Sequence, residues 1–428
     1  MPLEKAGKAG VVTGVMRIQP SAFQQAPRIT ATVRRAIPLI AVALLQLSCA
    51  TPDRKPGKES VKTQPPDFSA IETAIETAIV NRAFPGCAIA IGTIEGVLWQ
   101  KGYGHLTYSK RSPVTENTIY DLASLTKVVG TTALLMDLTA KGKLRESDPL
   151  AKHIPEFLEH ARDSKDRARR EAVTLEHVMT HTAGLVSWKP FYKSCDSYEK
   201  LIEAVLKTPL EASPGEQYKY SDPGFILLGE VAARAGGGPA PQLERQLLVR
   251  SLGMSDTLRN PPSALRSRIA PTERNPDALG FIHGVVHDEN CRFAGGATGH
   301  AGLFSNVGDL SKFAIELLRA RNGRGGVFAR DVVLEFTRRQ GYKGSNRGQG
   351  WQKPSGSNSA GALLSKTSFG HTGFTGTSIW IDPERELFVI LLTNRVHPTR
   401  ADSKISPVRR AVADAAAAAF DTWRSPSG

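Results

Sequence analysis

Cysteine is scarce: four occur in 428 residues, at Cys49, Cys87, Cys195 and Cys291. If Cys49 is removed or lipidated, the other three allow at most one intrachain disulfide, and the spacings fit no zinc site. Such a fold must rest on a hydrophobic core. The apolar run Ala36–Leu47 is only 12 residues long and is broken by Pro38 and Gln46, too short to cross a bilayer. No G-x-S-x-G occurs, which argues against an α/β-hydrolase nucleophile elbow. P-loop and dinucleotide fingerprints are also missing. His177 and His181 stand four apart after Glu176, but no H-E-x-x-H is formed, and no metal or cofactor is expected. Basic residues are not interleaved with aromatics in any recognition motif, so no nucleic-acid partner is expected. No internal repeat is found.

What is present is ordinary globular composition, 40% apolar and 22% charged, in a chain long enough for one large two-lobed domain. The net charge of +14 is uneven: residues 1–66 hold ten Lys/Arg against three Asp/Glu. Basic clusters at Arg162–Arg170 and Arg319–Arg347 read as solvated loops, with attraction to anionic envelope polymers as the rival reading.

Arg34-Arg35 followed by Ala36–Leu47 fits a secretory signal, with Met16 an alternative start. Cleavage before Cys49 would leave a lipid-anchored cysteine; cleavage after Ala50 would use Ser48-Cys49-Ala50. The expected organisation is a signal peptide over 1–50, a flexible tether over 51–67 and a folded domain over 68–424. Such a protein is secreted or periplasmic, and a membrane-anchored lipoprotein if Cys49 is modified.

The domain opens with a capping-box pattern at Ser69–Glu72 and apolar residues at helical spacing through Ile79. Strand runs follow at Cys87–Ile91 and Val97–Tyr103. A mainly helical stretch spans roughly 124–340. Strand runs return at Ser378–Ile381 and Leu387–Thr393, and a last helix is expected to begin at Ser406-Pro407. Strands at both ends with helices between predict an α+β fold. Its central antiparallel sheet is built from both termini, flanked by helices, with a helical lobe inserted.

Two S-x-x-K patterns occur. Ser197–Lys200 follows Asp196 and precedes Leu201, Ile202 and Val205, as an ordinary helix cap does. Ser124-Leu125-Thr126-Lys127 opens an apolar helix, and residues three apart share a helix face. A lysine there can accept the serine proton and activate the nucleophile, and the helix start favours a nearby oxyanion.

Ser124–Lys127, then Tyr220-Ser221-Asp222, then His371-Thr372-Gly373 before a strand run resemble the class C-like branch of the serine β-lactamase and penicillin-binding-protein superfamily. That branch includes D-alanyl-D-alanine carboxypeptidases and esterases. Phe84–Cys87, Gly142–Leu144, Met179–Leu185, Gly299–Ser305 and Phe369–Gly376 extend the resemblance over roughly 68–424. It implies a β-lactamase/transpeptidase-like fold and a serine hydrolase working through an acyl-enzyme. The implied substrate is a peptidoglycan-derived peptide or another small acyl compound. A non-catalytic peptidoglycan- or penicillin-binding protein on the same fold is the rival.

By resemblance, Ser124 is the nucleophile. Lys127, kept partly neutral by burial and nearby positive charge, is the base, and Tyr220 shares the proton. The N–H groups of Ser124 and Phe374 form the oxyanion hole, and Asp222, His371, Thr372 and Gly373 contact substrate. Two positions depart from the usual pattern. His371 replaces a lysine and offers a cation only part of the time near neutral pH. Asp222 replaces an asparagine and repels anionic substrates unless it pairs with Lys127 or another cation.

Overall fold

The computed structural model describes residues 65–425 apart from 277, 356 and 402. The expected signal peptide, Cys49 and most of the expected tether lie outside the described residues. Helix α1 spans Ser69–Val80 and buries Ile71, Ile75 and Ala78 at the predicted spacing. The capping box does not form, because Ser69 is already helical and Phe68 occupies the N-cap. The Asp67 carboxylate takes the Ser69 N–H at 2.9 Å, which leaves Phe68 to stack on Trp99 with ring centroids 5.1 Å apart.

Among the described residues eight strands follow: β1 Gly86–Thr93, β2 Gly96–Gly104, β3 Tyr120–Asp121, β4 Leu258–Arg259, β5 Leu303–Ser305, β6 Phe369–Thr372, β7 Ser378–Asp382 and β8 Leu387–Thr393. Five form an antiparallel sheet in the order β2-β1-β8-β7-β6. The last strand in sequence thus pairs with the first, as a sheet closed from both termini requires.

Side chains alternate between the two faces of a strand. Here Ala88, Ala90, Ile390 and Leu392 face the core of the helical lobe. Ile89, Ile91, Val389 and Leu391 face the terminal helices. Both faces are covered, so β1 and β8 read as unbroken apolar runs instead of alternating ones.

The lobe between is mainly helical. Its elements include helix α2, Ala133–Ala140, helix α3, Asp222–Gly236, and helix α4, Val307–Arg321. A small sheet, β3-β5-β4, closes it near the main sheet. Ser197 caps its helix by accepting the Lys200 N–H, and Lys200 pairs with Asp196 in solvent. The second S-x-x-K pattern is therefore structural.

The basic cluster at 162–170 is helical from Ser164, not a solvated loop. Arg170 is fully buried, held by Asp166 and by the carbonyls of Phe157, Leu206 and Thr208. Cys87, Cys195 and Cys291 are free and buried. The closing helix α5 spans Ile405–Arg424. Its first helical residue is Ile405 and its N-cap Lys404, two residues ahead of the expected Pro407 and Ser406, because Ile405 is buried against the sheet's outer face. Pro407 then falls in the first turn, where its missing N–H costs nothing.

Candidate active site

Ser124 lies where β3 turns into the lobe. The turn is tight: Ala123 adopts φ +47°, a conformation that costs a residue with a Cβ and concentrates at functional sites. The buried Asp121 carboxylate holds it by accepting the N–H groups of Ala123 at 2.9 Å and His287 at 2.6 Å. Burial pushes the Asp121 carboxyl pKa up, although both hydrogen bonds oppose that. A 3-10 turn carries Ser124, and a wide π-type turn over Lys127–Thr132 leads into α2. The expected simple helix start is thus overwound and then underwound around the Ser–Lys pair, a distortion common at functional sites.

Lys127 is fully buried. Its Nζ lies 3.1 Å from Ser124 Oγ, 2.7 Å from Asp222 Oδ1 and 3.2 Å from the His300 carbonyl. Three acceptors match the three protons of an ammonium group. Burial pulls the lysine pKa down, but the charges of Asp222 and Tyr220 and their hydrogen bonding outweigh it, and the net direction is up. This corrects the expectation of a partly neutral lysine. The reason is Asp222, which meets the alternative set out for it and pairs with Lys127.

Tyr220 arrives from the segment before α3. Ser221 caps that helix by accepting the Gly224 N–H and donates its own hydroxyl to Val186 O at 2.7 Å. The Tyr220 ring packs on His181 with centroids 4.4 Å apart, and Lys127 Nζ stands 5.1 Å from its centre. Ser124, Tyr220, Asp222 and Phe374 line one cavity of about 320 Å³, with Trp188, His287, Asp288, Glu289, His300 and Arg400. Three larger clefts, of about 490, 480 and 460 Å³, lie elsewhere and contain neither Ser124 nor Tyr220.

The turn from β6 to β7 forms the opposite wall. Thr375 Oγ1 donates to Asp121 O at 2.7 Å, and Thr377 Oγ1 donates to Leu122 O at 3.0 Å. Both bonds tie the turn to the strand that delivers Ser124. A Cβ on Gly373 would stand 2.1 Å from Thr377 Oγ1 and 2.3 Å from Leu122 O, so only glycine permits this approach. Arg409, reaching in from α5, donates to the carbonyls of Gly373 and Thr377, and Arg395 donates to Phe374 O. Among the described residues no acceptor takes the N–H of Ser124 or of Phe374. The arrangement can therefore offer a nucleophile, a proton relay and two free donors to an acyl group.

Thr372 is half-buried at the end of β6. His371 is not an open substrate contact. It is 2% exposed, and its ring lies 6.1 Å from that of Tyr220. Burial, then the charges of Arg347 and Lys127, hold its pKa well below the ordinary histidine value. It therefore supplies no cation near neutral pH, not even part of the time.

Several neighbours carry no sequence signal of their own. His181 and His300 sit in segments marked only by resemblance, and Asp288 pairs with His300 at 2.9 Å. Arg409 looks like a surface residue of a helix. Arg347, inside the second basic cluster, is buried with its guanidinium carbon 5.3 Å from the Tyr220 ring centre. Only coordinates could single it out.

Residues 71–414 match the family model described as Beta-lactamase. An Escherichia coli (strain K12) protein, provisionally named as a D-alanyl-D-alanine carboxypeptidase, is 32% identical over 362 residues, covering 77% of this chain and 82% of that protein. A penicillin-binding protein homologue from Caulobacter crescentus superposes with TM-score 0.66 at 20% identity, covering 83% of this chain and 98% of that one. EstCE1, a hydrolase with promiscuous acyltransferase activity, gives 0.63 at 20%, covering 82% and 98%. The family match over most of the chain and the relative matched over four-fifths of its length agree, and the chain belongs to the beta-lactamase family of serine hydrolases.

Proposed function

We propose that this protein is a D-alanyl-D-alanine carboxypeptidase-like hydrolase of the cell envelope, acting on peptidoglycan-derived peptides through an acyl-Ser124 intermediate. The observation that carries the reading is that Ser124 and Tyr220, from segments nearly a hundred residues apart, line one cavity, with buried Lys127 behind them 3.1 Å from Ser124 Oγ. The name of the Escherichia coli relative supports the substrate class.

In the proposed cycle Ser124 Oγ attacks the acyl carbon as its proton passes to Tyr220, which enters as a phenolate. Lys127 stays an ammonium group paired with Asp222 and stabilises both oxygens electrostatically. The tetrahedral oxyanion is held by the N–H groups of Ser124 and Phe374; losing one such donor typically costs ~10²–10³ in rate. Tyr220 then gives its proton to the leaving amine. In the second half-reaction it takes one from water, whose hydroxide attacks the acyl-enzyme; as the acyl group departs as a carboxylic acid, Tyr220 returns that proton to Ser124 Oγ, restoring the serine hydroxyl and the phenolate.

A second reading, esterase activity, is favoured by the cavity's charge. His371 is neutral, and Arg400 is already held by Glu273 and Glu289, so no free cation at those two positions awaits a substrate carboxylate. The test is a fluorescent penicillin followed by release of D-alanine from a D-Ala-D-Ala peptide and hydrolysis of short nitrophenyl esters. Labelling lost in Ser124→Ala with D-alanine release is the expected result. Ester turnover without D-alanine release would select the second reading, and labelling without any turnover would make the protein a binder.

We also propose that the protein is exported by its amino-terminal signal, with Cys49 the candidate for lipid attachment. Mass spectrometry of the mature terminus distinguishes cleavage before Cys49 from cleavage after Ala50.

A further inference from the structure

Arg347 is 6% exposed. Its Nε donates to Tyr218 Oη at 3.2 Å, and its Nη1 is buried without any hydrogen-bond partner. Among the described residues no carboxylate lies within ion-pairing distance of it. Arginine does not shed its proton in proteins, and a buried charge without a counter-ion is expensive. Something in the working enzyme must answer this charge.

The nearest ring systems are those of Tyr218, 5.9 Å from the guanidinium carbon, and Tyr220, 5.3 Å. Tyr220 also has Lys127 Nζ 5.1 Å from its centre, so two cations address the same ring. Its other charged or titratable neighbours do not cancel them. His181 packs on the ring and accepts the Ser221 N–H through Nδ1, which leaves it a neutral, non-basic contact. His371, 6.1 Å away, donates from Nδ1 to the Thr372 carbonyl. Asp222 is committed to Lys127, and across the cavity Asp288 is committed to His300.

We propose that Arg347 is a positioning residue for catalysis, the counter-charge that holds Tyr220 as a phenolate ready to take the Ser124 proton. A cation over an aromatic face is attracted by the ring electrons, and the attraction grows when the ring carries a full negative charge. The lysine that many relatives carry at the His371 position is thus replaced in effect by a cation from a different segment. Residues 345–352 fold back as a hairpin whose Gln352 pairs with Gly370 of β6, and that pairing carries Arg347 beneath Tyr220.

The inference rests on Tyr220 being the proton acceptor, so two separate readouts are needed. The first is the pH dependence of kcat/KM for a neutral nitrophenyl ester, in wild type, Arg347→Met and Arg347→Lys. Removing one unit charge at this distance in a partly buried site is worth about one pH unit or more. Arg347→Met is therefore expected to move the acid limb up by that amount, cutting the rate at neutral pH about tenfold or more and recovering it in alkali. Arg347→Lys is expected to keep most of the wild-type profile.

The second readout is the 295 nm phenolate absorbance of wild type minus Tyr220→Phe, present near pH 8 and lost in Arg347→Met. A loss of rate equal at every pH, or no phenolate difference spectrum, overturns the proposal. So does a defect confined to substrates bearing a carboxylate, which would make Arg347 a substrate contact. If Arg347→Met does not fold, the wild-type and Tyr220→Phe spectra with the lysine variant still decide. Penicillin labelling of Ser124 tests the acyl-enzyme reading by itself, so failure there is distinguishable from failure here.

Discussion

Arg409→Leu tests how the oxyanion wall is held. Arg409 lies on α5, outside the sheet, and sends Nη2 to Gly373 O at 2.8 Å and Thr377 O at 2.7 Å. It is 8% exposed and its Nε finds no acceptor. Leucine fills part of the volume and donates nothing. Each carbonyl keeps one backbone partner, Gly373 O from the Gly376 N–H and Thr377 O from the Gly373 N–H, so the loss is two hydrogen bonds to a charged donor, about 1.5–3 kcal/mol each. Removing an unpaired buried cation returns part of that, so the net destabilisation expected is about 2–3 kcal/mol.

The turn does not fall apart, because Thr375, Thr377 and Arg395 still hold it. It should loosen where Phe374 presents its N–H. Small misplacements of reacting groups cost up to ~10² in rate, and complete loss of one donor costs ~10²–10³. A 30- to 300-fold fall in kcat, roughly within those bounds, with a much smaller change in KM is therefore expected. The assays are steady-state ester hydrolysis and chemical denaturation of the same preparations. Arg409→Lys should recover part of both losses. A variant destabilised by 2 kcal/mol or so whose kcat stays within about twofold of wild type would refute the reasoning, since the oxyanion wall would then not depend on this anchor.

Asp222→Asn removes the charge that keeps Lys127 protonated and restores a donor at the cavity wall. Penicillin acylation should slow at neutral pH, because burial then pulls the lysine pKa down and Tyr220 loses the ammonium group beside it; labelling as fast as wild type would count against that. His181 and His371 are buried neutral, with folded pKa values held well below 6.5. Below pH ~6.5 the unfolded chain binds protons that the folded one refuses. Stability is thus present above that pH and falls on acidification, by about 1.4 kcal/mol per pH unit for each histidine. His371→Gln should flatten the curve of denaturation midpoint against pH between about 5 and 6.5 by one such share; an unchanged slope would show that His371 is charged when folded. Arg170→Met strands three backbone carbonyls while Asp166 keeps Arg162 and Arg169, and should lower stability by about 3–5 kcal/mol in denaturant titrations, with little effect on kcat in the fraction that remains folded.

The fold was legible because its signals are local and repeated. Cys87–Ile91 and Leu387–Thr393 are apolar on both faces, which marks central strands, and they prove to be neighbours in the sheet. Element ends were harder to read. At Ser69 a carboxylate two residues upstream replaced the expected cap, and at Ile405 tertiary burial set the helix start ahead of Ser406-Pro407. Both are contests between nearly equal local terms, decided by what the neighbouring sheet needs covered. The basic clusters misled for a related reason. A run of arginines looks solvated, yet Arg170 and Arg347 each find a specific buried place, and sequence spacing does not show which member of a run turns inward.

The site divides the same way. Ser124 and Lys127 share one turn, so their closeness follows from spacing alone. The charge state of Lys127 does not, because it depends on Asp222, 95 residues away. Burial alone would favour the neutral amine, and a paired carboxylate at 2.7 Å reverses that. The reversal reassigns the chemistry. An ammonium group can stabilise the oxygens around it but cannot accept the serine proton, so the acceptor must be a group whose anion is favoured here. In the proposed cycle that group is Tyr220, whose ring centre lies 5.1 Å from Lys127 Nζ and 5.3 Å from the Arg347 guanidinium carbon. The two departures from the usual motifs thereby compensate one another: Asp222 fixes the lysine as a cation, and the positive charge absent from neutral His371 returns through Arg347.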